Sequence, residues 1–198
     1  MIEGGQTLDA LRAEQRLCRL GDDLPGRVGE HRVLFDTGIS PDGLIENMRR
    51  LEVSPHDVEV IVLSHGHFDH TTGIDGLIRT LGKANVPVLI HPEFWSRRRL
   101  AFPGRDPLML PTTSRSALQG AGFEIIEQQQ PSFLLAGSLL VTGEVDRTTG
   151  FERGLAIHQA CHDGEWQPDP LILDDQACHT FPGYFLSGSY GWQCRDSA

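Results

Sequence analysis

Three histidines and one aspartate fall within six positions in His65-Gly66-His67-Phe68-Asp69-His70. Imidazole nitrogen and carboxylate oxygen are the donors that suit zinc, iron and manganese. The cluster follows Val58-Glu59-Val60-Ile61-Val62-Leu63-Ser64, an apolar, β-branched run that predicts a buried strand. On extended backbone His65 and His67 point the same way, because side chains alternate with period two. A turn after Phe68 then lets Asp69 and His70 face a second ion. The spacing predicts a dinuclear metal centre, His65 and His67 on one ion, Asp69 and His70 on the other. Taken singly, each histidine reads better as a surface or satisfied core residue. Four ligand types in this order on the lip of a buried strand favour the metal.

The elements that must position these residues are legible on both sides. Arg32 to Asp36 reads as a short strand ending at Thr37-Gly38. Ser40-Pro41 supplies a helix start, with Ser as cap and Pro at the first helical position. Leu44, Met48 and Leu51 follow at helical spacing and predict one face packed on a sheet. Gly73 to Leu81 predicts the next helix, Val86 to Ile90 the next strand, and Thr113 to Gly120 a further helix stopped by Gly120 and Gly122. Phe123 to Ile126, Ser132 to Leu135 and Leu139 to Thr142 read as shorter strands. Strand and helix in alternation, then clustered strands, predict a layered α/β domain.

At this point a resemblance can be stated. Ser64 to His70, followed by Thr71-Thr72-Gly73-Ile74-Asp75-Gly76-Leu77, resembles the signature of the metallo-β-lactamase superfamily, and Leu34-Phe35-Asp36-Thr37-Gly38 resembles the strand and turn ahead of it. His91-Pro92-Glu93, the run from Val141 to Glu152, and Asp174-Asp175-Gln176-Ala177 resemble one branch. That branch contains the 7,8-dihydropterin-6-methyl-4-(β-D-ribofuranosyl)-aminobenzene-5'-phosphate synthase-like proteins. The resemblance runs from about Arg32 to Ala177 within a single domain spanning residues 1–198. It implies an αββα sandwich with metals at one edge between two sheets.

It also implies that Asp36 supports the histidine loop from below, since a ligand histidine often gives its other N–H to a carboxylate. A turn-forming Asp before Thr-Gly is the plainer reading. Glu144, Asp146, Arg147 and Thr149 follow an apolar strand, where loops over active sites tend to lie. Glu144, Arg147 and Thr149 are candidate contacts to a polar or phosphorylated substrate, or a loop that holds itself together.

Both ends depart from the family pattern. A further ligand is expected in a Gly-Cys-x-His segment after Asp-Asp-Gln-Ala, but Leu186-Ser187-Gly188-Ser189-Tyr190-Gly191 stands there, and no His follows His179. Met1 to Glu30 lacks the apolar first strands expected, and Arg195 to Ala198 does not read as a domain end. The expectation is a sandwich incomplete at both ends, as a truncated gene or shifted frame would give. Uncovered sheet edges then favour aggregation or oligomers. His158, His162 and His179 are conceivable substitutes, each with the ordinary reading of a surface histidine.

Composition narrows the partners. With 198 residues, 39% hydrophobic, the chain can bury one core. A net charge of −10 argues against a nucleic-acid surface. Arg97, Arg98 and Arg99 form the only basic run and read as a solvated helix face in preference to an anion site. No apolar stretch approaches the ~20 residues of a membrane span, and Met1 to Gly5 shows no secretory leader. Cys18, Cys161, Cys178 and Cys194 form no CxxC pair or compact disulfide framework, so a cytoplasmic protein with reduced thiols is expected.

The resemblance implies a metal-dependent hydrolase that acts through a metal-activated water or hydroxide, up to two divalent ions, a pterin or phosphorylated small-molecule substrate, and Asp69 as a ligand that also orients the attacking group. The competing reading is an impaired member of the family, a weak metal-binding or interaction module.

Overall fold

A computed structural model describes residues 16–19, 31–137, 139–144, 155–169, 178–180 and 184–186. Along the chain run β1 (Arg16–Arg19), β2 (Arg32–Phe35), α1 (Pro41–Arg50), β3 (Val60–Val62), α2 (Phe68–Thr71), α3 (Ile74–Leu81), β4 (Pro87–Ile90), β5 (Arg98–Leu100), β6 (Leu108–Met109), α4 (Arg115–Gly120), β7 (Glu124–Glu127), β8 (Ser132–Leu134), β9 (Leu139–Val141), β10 (His158–His162), β11 (Glu165–Pro168), β12 (Cys178–Thr180) and β13 (Tyr184–Leu186).

The central sheet has the order β1-β2-β3-β4-β7. Strands β2, β3, β4 and β7 are parallel, and β1 is antiparallel on the β2 edge. Parallel neighbours need crossovers, supplied by α1 between β2 and β3 and by α2 and α3 between β3 and β4. Both faces of this sheet are apolar, and the alternation of its strands sorts them. Leu34, Ile61, Val88 and Ile90 turn to one side, where Leu44 and Met48 of α1, Ile74 and Leu77 of α3, and Leu118 of α4 cover them. Val33, Phe35, Val60, Val62 and Leu89 turn to the other side and meet Leu139 and Val141 of β9. That second sheet is antiparallel, in the order β13-β12-β9-β8. The described residues thus give three layers, helix, sheet and sheet, of the expected four.

Several expectations are met residue by residue. Ser40 caps α1, its Oγ accepting from Gly43 N at 3.1 Å, with Pro41 at the first position. Ser114 caps α4 in the same way. Leu51 departs from the helical stripe: it is the C-cap of α1 and 61% exposed, because the helix ends before that face completes its turn.

One segment adds to the sequence reading and another corrects it. The 1–30 segment does contribute a strand, β1, polar at both ends (Arg16 and Arg19) and therefore unlike the apolar runs that mark central strands. Arg98 begins a strand and no helix passes through it. β5 joins a third sheet, β11-β10-β5-β6, whose two-residue alternation buries Arg98 and sends Arg97 and Arg99 outward onto Trp166, their guanidinium carbons 5.7 and 4.2 Å from its ring centre.

Candidate functional site

Asp36, Ser64 and His91 stand at the carboxyl ends of β2, β3 and β4, the edge of a parallel sheet where ligands gather in α/β folds. The chain leaves β3 with Leu63 N donating to Leu89 O at 3.0 Å, bends at Gly66 and reaches His67 in extended conformation. It then turns into α2, which carries Asp69 and His70. This is the turn after Phe68 that the ligand pattern required, beginning one residue sooner. Glycine at position 66 is obligatory, since a Cβ there would collide with the Phe94 carbonyl and the Arg98 guanidinium. Gly73 serves the same end, letting the start of α3 lie against the Thr37 carbonyl.

Asp36 organises this loop. Its backbone sits in the left-handed region, φ 57°, which Asp tolerates better than most residues. The carboxylate accepts from Ser64 N and Ser64 Oγ, each at 2.8 Å, and lies 2.8 Å from His70 Nδ1. Because a carboxylate only accepts, His70 Nδ1 carries the proton. Ser64 Oγ gives its hydrogen to Asp36, so at 2.9 Å it accepts from His65 Nδ1. One buried carboxylate therefore sets the tautomer of two histidines, directly and through Ser64, and leaves the lone pair of each ring on Nε2. A metal requires it there.

The three rings are adjacent. His65 lies 4.7 Å from His67 and 4.2 Å from His70 between centroids. His65 and His67 are buried, whereas the Asp69 side chain is 41% exposed and its Oδ2 is 3.7 Å from His70 Nε2. Donor types and adjacency fit a divalent cation. Among the described residues, however, no three His, Cys, Asp or Glu side chains are gathered about one point, so two separate ion sites are not seen. The reason is visible at His67, whose Nε2 is turned onto Asp169 Oδ2 at 3.2 Å.

Asp169 and its companions escaped the sequence reading. Arg98 Nε donates to the same Oδ2 at 2.8 Å while its NH1 donates to Phe94 O at 3.1 Å. Burial alone would raise the Asp169 carboxyl, but the His67 hydrogen bond and the Arg98 charge outweigh it and hold the group well below the usual carboxylate range. His158 packs against His67 at 5.1 Å and is half-buried, so it lies beside the cluster. Burial first, then the neighbouring His67, lowers its pKa, against the opposing pull of Asp169 and Asp69. His67 and Asp169 are 102 residues apart, and nothing local marks an aspartate between two prolines as a partner. The one available hint was the alternation of Arg97, Arg98 and Arg99.

Glu144 Oε1 is 3.0 Å from Nε2 of the fully buried His91, whose Nδ1 accepts from Glu93 N. Arg147 and Thr149 lie outside the described residues, as do Asp146 and Asp174 to Ala177.

The family model described as the metallo-β-lactamase superfamily matches residues 27–118, which carry all of this loop. Over that stretch the chain is similar to the metallo-β-lactamase superfamily. Its similarity to the 7,8-dihydropterin-6-methyl-4-(β-D-ribofuranosyl)-aminobenzene-5'-phosphate synthase of Methanocaldococcus jannaschii is 29% identity over 119 residues, 58% of this chain and 39% of that protein. Ribonuclease Z of Thermobifida fusca is 35% identical over 78 residues, 36% of this chain and 24% of that one. A crystal structure of Tm1679, described as a metal-dependent hydrolase of the β-lactamase superfamily, shares the fold with a TM-score of 0.54 at 20% identity, over 79% of this chain and 57% of that one. The chain thus spans well under half the length of these two curated relatives. Members of the metallo-β-lactamase superfamily are metal-dependent.

The paired groups make the loop acid-sensitive. Asp169 is depressed in the folded chain relative to its ordinary 3.8, so its stabilising contribution is whole above that value and is lost as pH falls below it. Denaturant unfolding followed from pH 7 down to pH 3 should therefore show a loss of stability that is shallower in Asp169→Asn. Parallel curves for the two proteins would contradict this origin.

Proposed function

We propose that this chain is a metal-dependent hydrolase whose divalent ions, zinc, manganese or iron, are held by His65, His67, Asp69 and His70. The observation that carries the reading is the Asp36–Ser64–His65 and Asp36–His70 arrangement, which orients two imidazoles for ligation. Such an ion, when bound, supplies a nucleophilic hydroxide near neutral pH and polarises the bond under attack. The residues do the rest. Asp36 holds the rings in one tautomer. Asp69, part-exposed at the mouth, orients the attacking group and takes its proton. His67 would turn from Asp169 to hold the ion, and Arg98 would remain as the charged partner of Asp169.

The substrate is proposed to be a phosphorylated small molecule, of which a pterin derivative is one, in keeping with the first of the curated relatives. The setting is proposed to be cytoplasmic, with neither nucleic acid nor membrane as partner and with oligomers covering exposed sheet edges. No helix among the described residues is long and apolar enough to cross a membrane. A second reading, an impaired member of the family, is favoured by the scattered geometry of the ligands.

Hydrolysis of a generic phosphodiester and a lactone with added manganese or zinc separates the two. Ligands misplaced by about an ångström cost on the order of a hundredfold in rate, so turnover is expected to be weak but dependent on Asp69. Activity equal in the chain and in Asp69→Ala would remove the hydrolase reading.

A further inference from the structure

A cavity of about 240 Å³ lies between α3 and the segment leading into α4, on the far side of α2 from the histidine rings in sequence but built on its last residue, Thr71. Thr71, Thr112 and Thr113 bring hydroxyls to its wall, Asp75 a carboxylate, and Ile78 and Leu118 an apolar surface. Thr71 is only 3% exposed, and among the described residues its hydroxyl has no hydrogen-bond partner. Its oxygen is not sealed from solvent, since His31 Nε2 is the one buried side-chain polar atom without a partner among the described residues, and so it can meet a ligand that enters the cavity. Asp75 likewise has no ion-pair partner among the described residues.

The lining decides the class of ligand. No Lys, Arg or His faces the cavity, so an anion would meet Asp75 with nothing to neutralise it. An ammonium would answer Asp75 and donate to the threonine oxygens but, having no acceptor, would leave the threonine hydroxyl hydrogens unanswered. A ring bearing several hydroxyls satisfies both, donating to the carboxylate, exchanging hydrogen bonds with the threonines and laying its C–H face on Ile78 and Leu118. The volume is below that of a drug-sized pocket and suits one such ring. We infer that this cavity is a binding subsite for the ring of a neutral sugar or polyol. The inference stands apart from the metal reading and survives its failure.

Saturation-transfer NMR on the full chain tests it, with D-ribose, propylamine and inorganic phosphate as separate probes. Ribose should bind, and both Thr71→Val, which keeps the side-chain shape, and Asp75→Asn, on an exposed position, should weaken it about tenfold. A thermal melt of each variant shows that the fold is kept. No transfer to ribose, transfer unchanged in both variants, or stronger transfer to propylamine or phosphate would each overturn the assignment.

Discussion

Replacing Arg98 by Met is expected to cost about 3–5 kcal/mol of folding stability, the usual result of removing one partner from a buried ion pair. Both side chains are all but sealed, 4% exposed for Arg98 and 5% for Asp169. Without the guanidinium, Asp169 loses a buried positive partner, and the carbonyl of Phe94 loses its donor. The double variant Arg98→Met with Asp169→Asn should recover much of the loss, because no buried charge is then left alone. Arg99→Met, one residue on and resting on Trp166 at the surface, should cost under about 1 kcal/mol. Urea unfolding measures all three. An Arg98→Met midpoint no lower than that of Arg99→Met would show that the pair does not hold this edge of the site together.

The second large effect is expected at Asp36, on metal affinity. Asp36→Asn keeps a residue that tolerates the left-handed backbone, and its oxygen can still accept from Ser64 N. Its amide now faces Ser64 Oγ and His70 Nδ1 as a donor, where the carboxylate accepted. His70 must move its proton to Nε2, the nitrogen the ion requires. Zinc affinity should fall about 10- to 100-fold, the range typical of lost partners behind a metal ligand. Nitrogen-15 spectra of the imidazoles should report the tautomer change directly. An unaltered affinity with an unaltered tautomer would show that Asp36 serves only the turn.

These two predictions mark where the sequence was legible. The loop from Ser64 to His70 and the cap at Ser40 were readable because their chemistry is local: ligand types at fixed spacing, a capping hydroxyl before Pro41. Asp36 was readable through the resemblance, though which atoms it would bind was not. Arg98 and Asp169 were not readable, since their partnership joins residues 71 apart in sequence. Arg98 even pointed the wrong way, because three consecutive arginines suggest exposure until strand alternation buries the middle one. Glu144 was placed correctly in a loop, but its contact with the buried His91, 53 residues away, was not legible.

The central claim is that the histidine loop holds metal, and elemental analysis of the folded chain after reconstitution with zinc, manganese or iron tests it most directly. The account predicts bound metal, below two ions per chain, and loss of most of it in His67→Ala. A chain that emerges from reconstitution without metal, or a His67→Ala variant that retains as much as the parent, would contradict it.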